Sequence, residues 1–124
     1  MSALAGPRAT TSLRVWGYYL AATGGILLGA PNTLLGIVGL PPTDEVWIRV
    51  VGMLIWILAY ASFQSVRTRN LEYMMWSRNA RFAVPFFFAA FVALGFVGPQ
   101  ILPFGAIDLL GATWTWWAIR ADAT

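Results

Sequence analysis

The sequence predicts an all-α integral membrane protein, a bundle of four membrane-spanning helices, and three observations predict it. Of the 124 residues, 59% are apolar and only 10% charged, against roughly a quarter charged in an average soluble domain. Such a chain cannot cover a surface that faces water. Four apolar segments recur, at about 13–30, 46–66, 80–97 and 101–119, and a helix of ~20 residues crosses ~30 Å of hydrocarbon at 1.5 Å per residue. No segment alternates apolar and polar residues, so a closed barrel of strands, the other fold that satisfies its own backbone in lipid, is not expected.

Taken in order, residues 1–12, "MSALAGPRATTS", are small and polar and predict an N-terminal arm. Residues 13–120 form the four-helix domain, and 121–124 a short tail. The first apolar segment is too long for a cleaved leader and other spans follow it. In the connection "PNTLLGIVGLPPTDE", the stretch Leu34 to Leu40 is too apolar for a solvated loop and too short to span. It predicts a short interfacial element stopped by Pro41 and Pro42. Thr43 then caps the second span, with Asp44 and Glu45 in its first turn. In "RTRNLEYMMWSRNAR" the apolar side chains dip into the interface while Arg67, Arg69, Arg78 and Arg81 face headgroups. The short "GPQILP" makes spans three and four antiparallel neighbours.

Orientation follows from charge. All eight cations are arginine. Apart from Arg49, inside the second span, they flank the first span, the middle connection and the end of the fourth span (Arg120), whereas the first connection is acidic and the third uncharged. The positive-inside rule therefore places both termini and the middle connection in the cytoplasm. Trp16, Trp76, Trp116 and Trp117 are expected at the inner interface with these arginines, and Trp47 at the outer one.

Two intramembrane features stand out. Gly17, Ala21, Gly25 and Gly29 recur every four residues in span one, a spacing that lets helix backbones approach in lipid. Asp108 lies inside span four, where an unpaired carboxylate is costly and a partner is expected. Arg49, about one turn inside span two, is the expected partner. Ala112 and Thr115 follow Asp108 by four and seven and share its inward face, whereas Trp114 and Trp117 turn away.

Much chemistry is excluded by composition. With no cysteine and no histidine, thiolate catalysis and imidazole-held haem, chlorophyll or zinc have no ligands here. No nucleophile–base pair and no metal-ligand spacing occurs. The basic charge sits beside apolar spans, so it does not signal nucleic acid. The Phe-rich third span could touch a lipid, carotenoid or quinone, but no cofactor of the chain's own is expected.

The stretches "APNTLLGIVGLPPTDEVWIRVVGM" (residues 30–53) and "FGAIDLLGATWTWWAIR" (residues 104–120) resemble a group of small four-helix bacterial inner-membrane proteins of unknown function. That resemblance implies four spans and the bacterial inner membrane, and no activity. Small multidrug exporters share the size and span count, yet their acid lies in the first helix, where this chain has none. The expectation is a non-enzymatic accessory subunit, bound by membrane lipids and other membrane subunits of a larger respiratory or photosynthetic complex. The alternative is an oligomeric channel or small-solute transporter using Asp108 and Arg49.

Overall fold

The computed structural model describes residues 4–124, and among them the fold is all-α, with no strand. The elements are α1 (Pro7–Gly29), α2 (Pro31–Val38), α3 (Trp47–Thr68), α4 (Leu71–Ala93), a 3₁₀ turn (Pro99–Ile101) and α5 (Leu102–Asp122). Of these, α3 is long and apolar enough by itself to cross a membrane. The α1–α2 pair meets the same test only when taken together, and it is bent by 111°. Four such spans were expected. The apolar segments are instead embedded in longer helices that also carry charge: Arg8 and Arg14 in α1, Glu72, Arg78 and Arg81 in α4, Asp108 and Arg120 in α5.

Local chemistry explains the boundaries. Pro7 opens α1 at a position where a missing N–H costs nothing. Pro31 does the same for α2, immediately after α1 stops at Ala30. A short element was expected here at Leu34 to Leu40, and a short helix, α2, is present, but Gly39, not Pro41 or Pro42, ends it. Gly39 adopts φ +81 while the Leu40 N–H donates to the Leu35 carbonyl at 2.8 Å, a left-handed helix stop open to glycine at no steric cost. Thr43 is not the cap of α3. Its hydroxyl accepts from the Glu45 N–H at 3.1 Å within the loop, and α3 begins at Trp47 after an uncapped Val46.

The middle connection differs most from expectation. Asn70 caps α4 by accepting the Tyr73 N–H at 3.1 Å, and Glu72 adds a favourable charge to the first turn. Helix therefore starts at Leu71, and only Arg69 and Asn70 separate α3 from α4. Residues 71–81, expected to lie along the interface, form the first half of α4 instead.

Helix α1 is the centre of the fold. It packs antiparallel along α3 on one side and α5 on the other, and α4 packs antiparallel on α5, whereas α3 and α4 barely touch. At one end the Ala5 N–H donates to the Arg69 carbonyl at 3.0 Å and the Ala5 carbonyl accepts from the Arg69 side-chain Nε at 2.8 Å. At that same end the Asp122 carboxylate accepts the N–H groups of Arg8 (3.2 Å) and Ala9 (2.9 Å). The expected N-terminal arm is thus ordered from Leu4. Ala5 and Ala9 are fully buried with Leu13, Met74 and Ala118 in a core cluster, because a chain of small residues fits between helix ends. Residues 1–3 lie outside the described residues. At the other end, Gln100 donates to the Gly39 carbonyl at 3.3 Å.

The helix contact that sets the α1–α3 distance is not the predicted stripe. A Cβ built on Gly52 would sit 2.9 Å from the Gly24 carbonyl oxygen, and one on Gly24 would sit 2.9 Å from that of Gly52. The two backbones touch directly. Gly17 does pack on Phe63, the Ala21 carbonyl accepts from Trp56 Nε1 at 2.9 Å, and Gly25 lies beside Trp56. Gly29 meets nothing within 4 Å. A strict four-residue spacing drifts by about 40° per step on a helix of 3.6 residues per turn, so Gly29 has rotated away from the face that Gly17 presents.

Candidate functional site

The candidate site follows from the missing α3–α4 contact. Between these helices lies a cleft of about 560 Å³, walled by α3 through Val51, Ile55 and Leu58, by α4 through Ala80 and Val84, and floored by α1 and α5. Its lining is apolar except for a small group toward the floor: Tyr19 and Thr23 from α1, Asp108 from α5 and Arg81 from α4, with Ser62 and Ser77 on the walls. Asp108 makes no side-chain hydrogen bond among the described residues, and the Tyr19 oxygen accepts from Thr23 one turn along α1, so the Asp108 carboxylate and the Tyr19 O–H keep bonding capacity at the cleft.

Arg81 was expected among headgroups. It is instead 4% exposed, because the early start of α4 places it ten residues inside the helix. Its Nε donates to the Ser77 carbonyl at 3.3 Å and its Nη2 to Thr115 Oγ1 at 3.0 Å. The guanidinium carbon stands 4.7 Å from the centre of the Trp16 ring, a cation–π contact of about 2 kcal/mol when desolvated. Nη1 has no partner. A Cβ on Gly111 would lie 3.2 Å from it, so the absence of a side chain at Gly111 makes room for the guanidinium against α5.

Thr115 joins three helices. Ser12 Oγ donates its single proton to the Ala9 carbonyl at 2.7 Å, so in the 3.0 Å Ser12–Thr115 contact it is Thr115 that donates. The Thr115 oxygen meanwhile accepts from Arg81. All three side chains are buried, and each hydrogen bond offsets the loss of water around a polar atom.

Asp108 and Arg49 do not meet. Arg49 is exposed, donates to the Leu28 carbonyl and lines a separate shallow groove with Asn32, Asp44 and Glu45. The cation whose field reaches Asp108 is Arg81, although neither hydrogen bond of Arg81 goes to that carboxylate. The depth argument that selected Arg49 compared two helix ends and missed which helices adjoin: α3 contributes only the far wall of the cleft. The inward face expected around Asp108 is present, with Ala112 and Thr115 fully buried and Trp114 and Trp117 turned out.

The expected anchors divide. Trp76, Trp116 and Trp117 are exposed, and Arg120 stands over Trp116 at 4.8 Å. Arg67 binds Gln64 through two contacts of 2.8 and 3.0 Å, and Arg78 binds Asn79 at 3.1 Å. Trp16 is not an interface anchor. It is 8% exposed in a core cluster with Leu20 and Ala59, since its place under Arg81 faces α5. The signal that could have found Arg81 is the Asn-Leu-Glu start at residue 70, which fixes the register of α4.

Comparison with protein-family models, with curated proteins and with solved structures found no match for this chain.

Proposed function

We propose that this chain is a multi-pass protein of the bacterial inner membrane with both termini in the cytoplasm, as its resemblance to small four-helix membrane proteins implies. It acts as a non-enzymatic subunit that packs against a larger membrane assembly. The observation that carries this reading is the apolar exterior. Trp56, Ile57 and Tyr60 on α3, Phe86 and Phe87 on α4, and Leu110 and Trp117 on α5 all point outward, with Phe86 77% and Leu110 70% exposed. So many large apolar side chains exposed on three helices are what contact with lipid or with another protein would cover.

Length and end placement agree with four crossings. The four long helices have 21 to 23 residues, about 32–35 Å at 1.5 Å per residue. The N-terminal segment, the α3–α4 connection and the end of α5 gather at one end of the bundle, the end that carries Arg8, Arg67, Arg69 and Arg120. That is the end the positive-inside rule assigns to the cytoplasm.

Mild detergent extraction followed by native electrophoresis and mass spectrometry tests the subunit reading. The expected result is comigration with other membrane proteins, and migration only as a lone chain overturns it. The transporter reading loses its proposed pair, because Asp108 and Arg49 belong to separate clefts.

A further inference from the structure

The α3–α4 cleft has a shape and a polarity that packing alone does not require. Its α3 wall runs from Ile48 to Ser62, about 21 Å of helix, whereas a sphere of the same volume would be only about 10 Å across. The space is therefore a slot. Its volume lies within the roughly 300–1,000 Å³ of small-molecule sites, and like them it is mostly apolar with a few convergent polar groups. Val51, Leu58 and Trp76 line it and are also exposed, so the slot opens sideways between α3 and α4.

The polar floor defines the head of the occupant. Asp108 offers an acceptor and the Tyr19 O–H a donor, the Tyr19 oxygen itself accepting from Thr23. Arg81 supplies the countercharge to Asp108, but its guanidinium is held by Ser77, Thr115 and Trp16 behind the floor. The site is thus electrically balanced, and a charged head would add an unpaired charge at a depth where that is costly. A hydroxyl is the simple neutral group that can donate to a carboxylate and accept from a phenol at once.

We propose that this slot binds a single-chain apolar molecule with a neutral hydroxyl-bearing head, the hydroxyl seated between Asp108 and Tyr19 and the chain lying along Ile55, Leu58 and Val84. Two kinds of molecule share this chemistry, a long-chain alcohol and a hydroquinone carrying an apolar tail. The inference rests on the membrane reading above, but its test uses purified protein and no partner, so each can fail without the other.

The test is titration of the full-length protein in detergent, following binding by equilibrium dialysis of each probe, with the intrinsic tryptophan fluorescence, to which the slot-lining Trp16 and Trp76 contribute, as a second readout. The probes are geranylgeraniol, its methyl ether, a short-chain prenylated hydroquinone and palmitate. The expected result is saturable binding of the alcohol, the hydroquinone or both, at least tenfold tighter than the ether or palmitate. Which of the two binds assigns the source. Asp108→Ala removes the preference for alcohol over ether. Leu58→Trp, which fills the slot from its open side and touches no floor group, abolishes binding. Equal affinity for alcohol and ether overturns the proposal, as does tighter binding of palmitate or unchanged binding in Leu58→Trp. Should Asp108→Ala fail to fold, the alcohol-to-ether ratio on the unaltered protein and the Leu58→Trp variant still decide the matter.

Discussion

Arg81 shows how one side chain can tie a fold together at a depth where its charge is a liability. Its guanidinium is held from three directions: by its own helix through Ser77, by α5 through Thr115, and by the Trp16 face on α1. Replacing Thr115 with valine leaves Nη2 as a second unpartnered donor on a buried cation, where one already exists. Thr115→Val is expected to lower stability by about 1–3 kcal/mol, read as a fall in the unfolding temperature of the detergent-solubilised protein. In an Arg81→Met background the same change should cost clearly less, since the orphaned donor is gone. Equal losses in both backgrounds would show that Thr115 acts through Ser12 and not through Arg81. Asp108 was legible as an inward-facing acid from its neighbours alone, and it is half-buried at the cleft. Its countercharge was not, because an arginine at residue 81 reads as a headgroup contact until the start of α4 is known.

Helix–helix spacing and helix capping belong to the elements. The Gly24–Gly52 contact predicts that Gly52→Ala forces α1 and α3 apart and destabilises by about 1–3 kcal/mol, the usual range for overpacking. Gly29→Ala, where nothing lies within 4 Å, should be neutral or stabilising by up to about 1 kcal/mol through helix propensity. Thermal unfolding of the two variants side by side checks this, and the predicted stripe would require both to be harmful. Capping across elements gives a second expectation. Asp122 satisfies two orphan N–H groups at the start of α1 from the end of α5, so Asp122→Ala should cost about 1 kcal/mol. It should also speed hydrogen exchange at Arg8 and Ala9 while leaving α3 protected. At this scale the apolar content of the long helices and the presence of a short element at α2 were readable from composition and from the prolines that follow it, whereas its stop at Gly39 was not. The glycine pair was not, because it is a relation between two helices and neither residue stands out in its own.

For the whole molecule, the cysteine-free sequence makes the membrane reading directly testable. Single cysteines placed at Thr43, Thr68 and Thr124 should label in two classes in intact cells. Thr68→Cys and Thr124→Cys are expected to be shielded from an impermeant maleimide until the cells are opened, and Thr43→Cys to react from outside. Labelling of positions 68 and 124 from opposite sides would overturn the four-crossing arrangement.

The stop expected at Pro41 and Pro42 falls at Gly39, but the helical class, the apolar exterior and the short element after α1 were legible in the chain alone. These follow from composition and from local backbone chemistry, which act within a few residues. The order α3–α1–α5–α4 across the bundle was decided only by the tertiary structure. That order leaves a slot between α3 and α4, sends Arg49 to a different groove from Asp108 and brings Arg81 to the floor with it. The physical reason is that helix neighbourhood depends on which faces pack closest, and close packing at Gly24, Gly52 and Gly111 is a property of pairs of surfaces that no single stretch of chain contains.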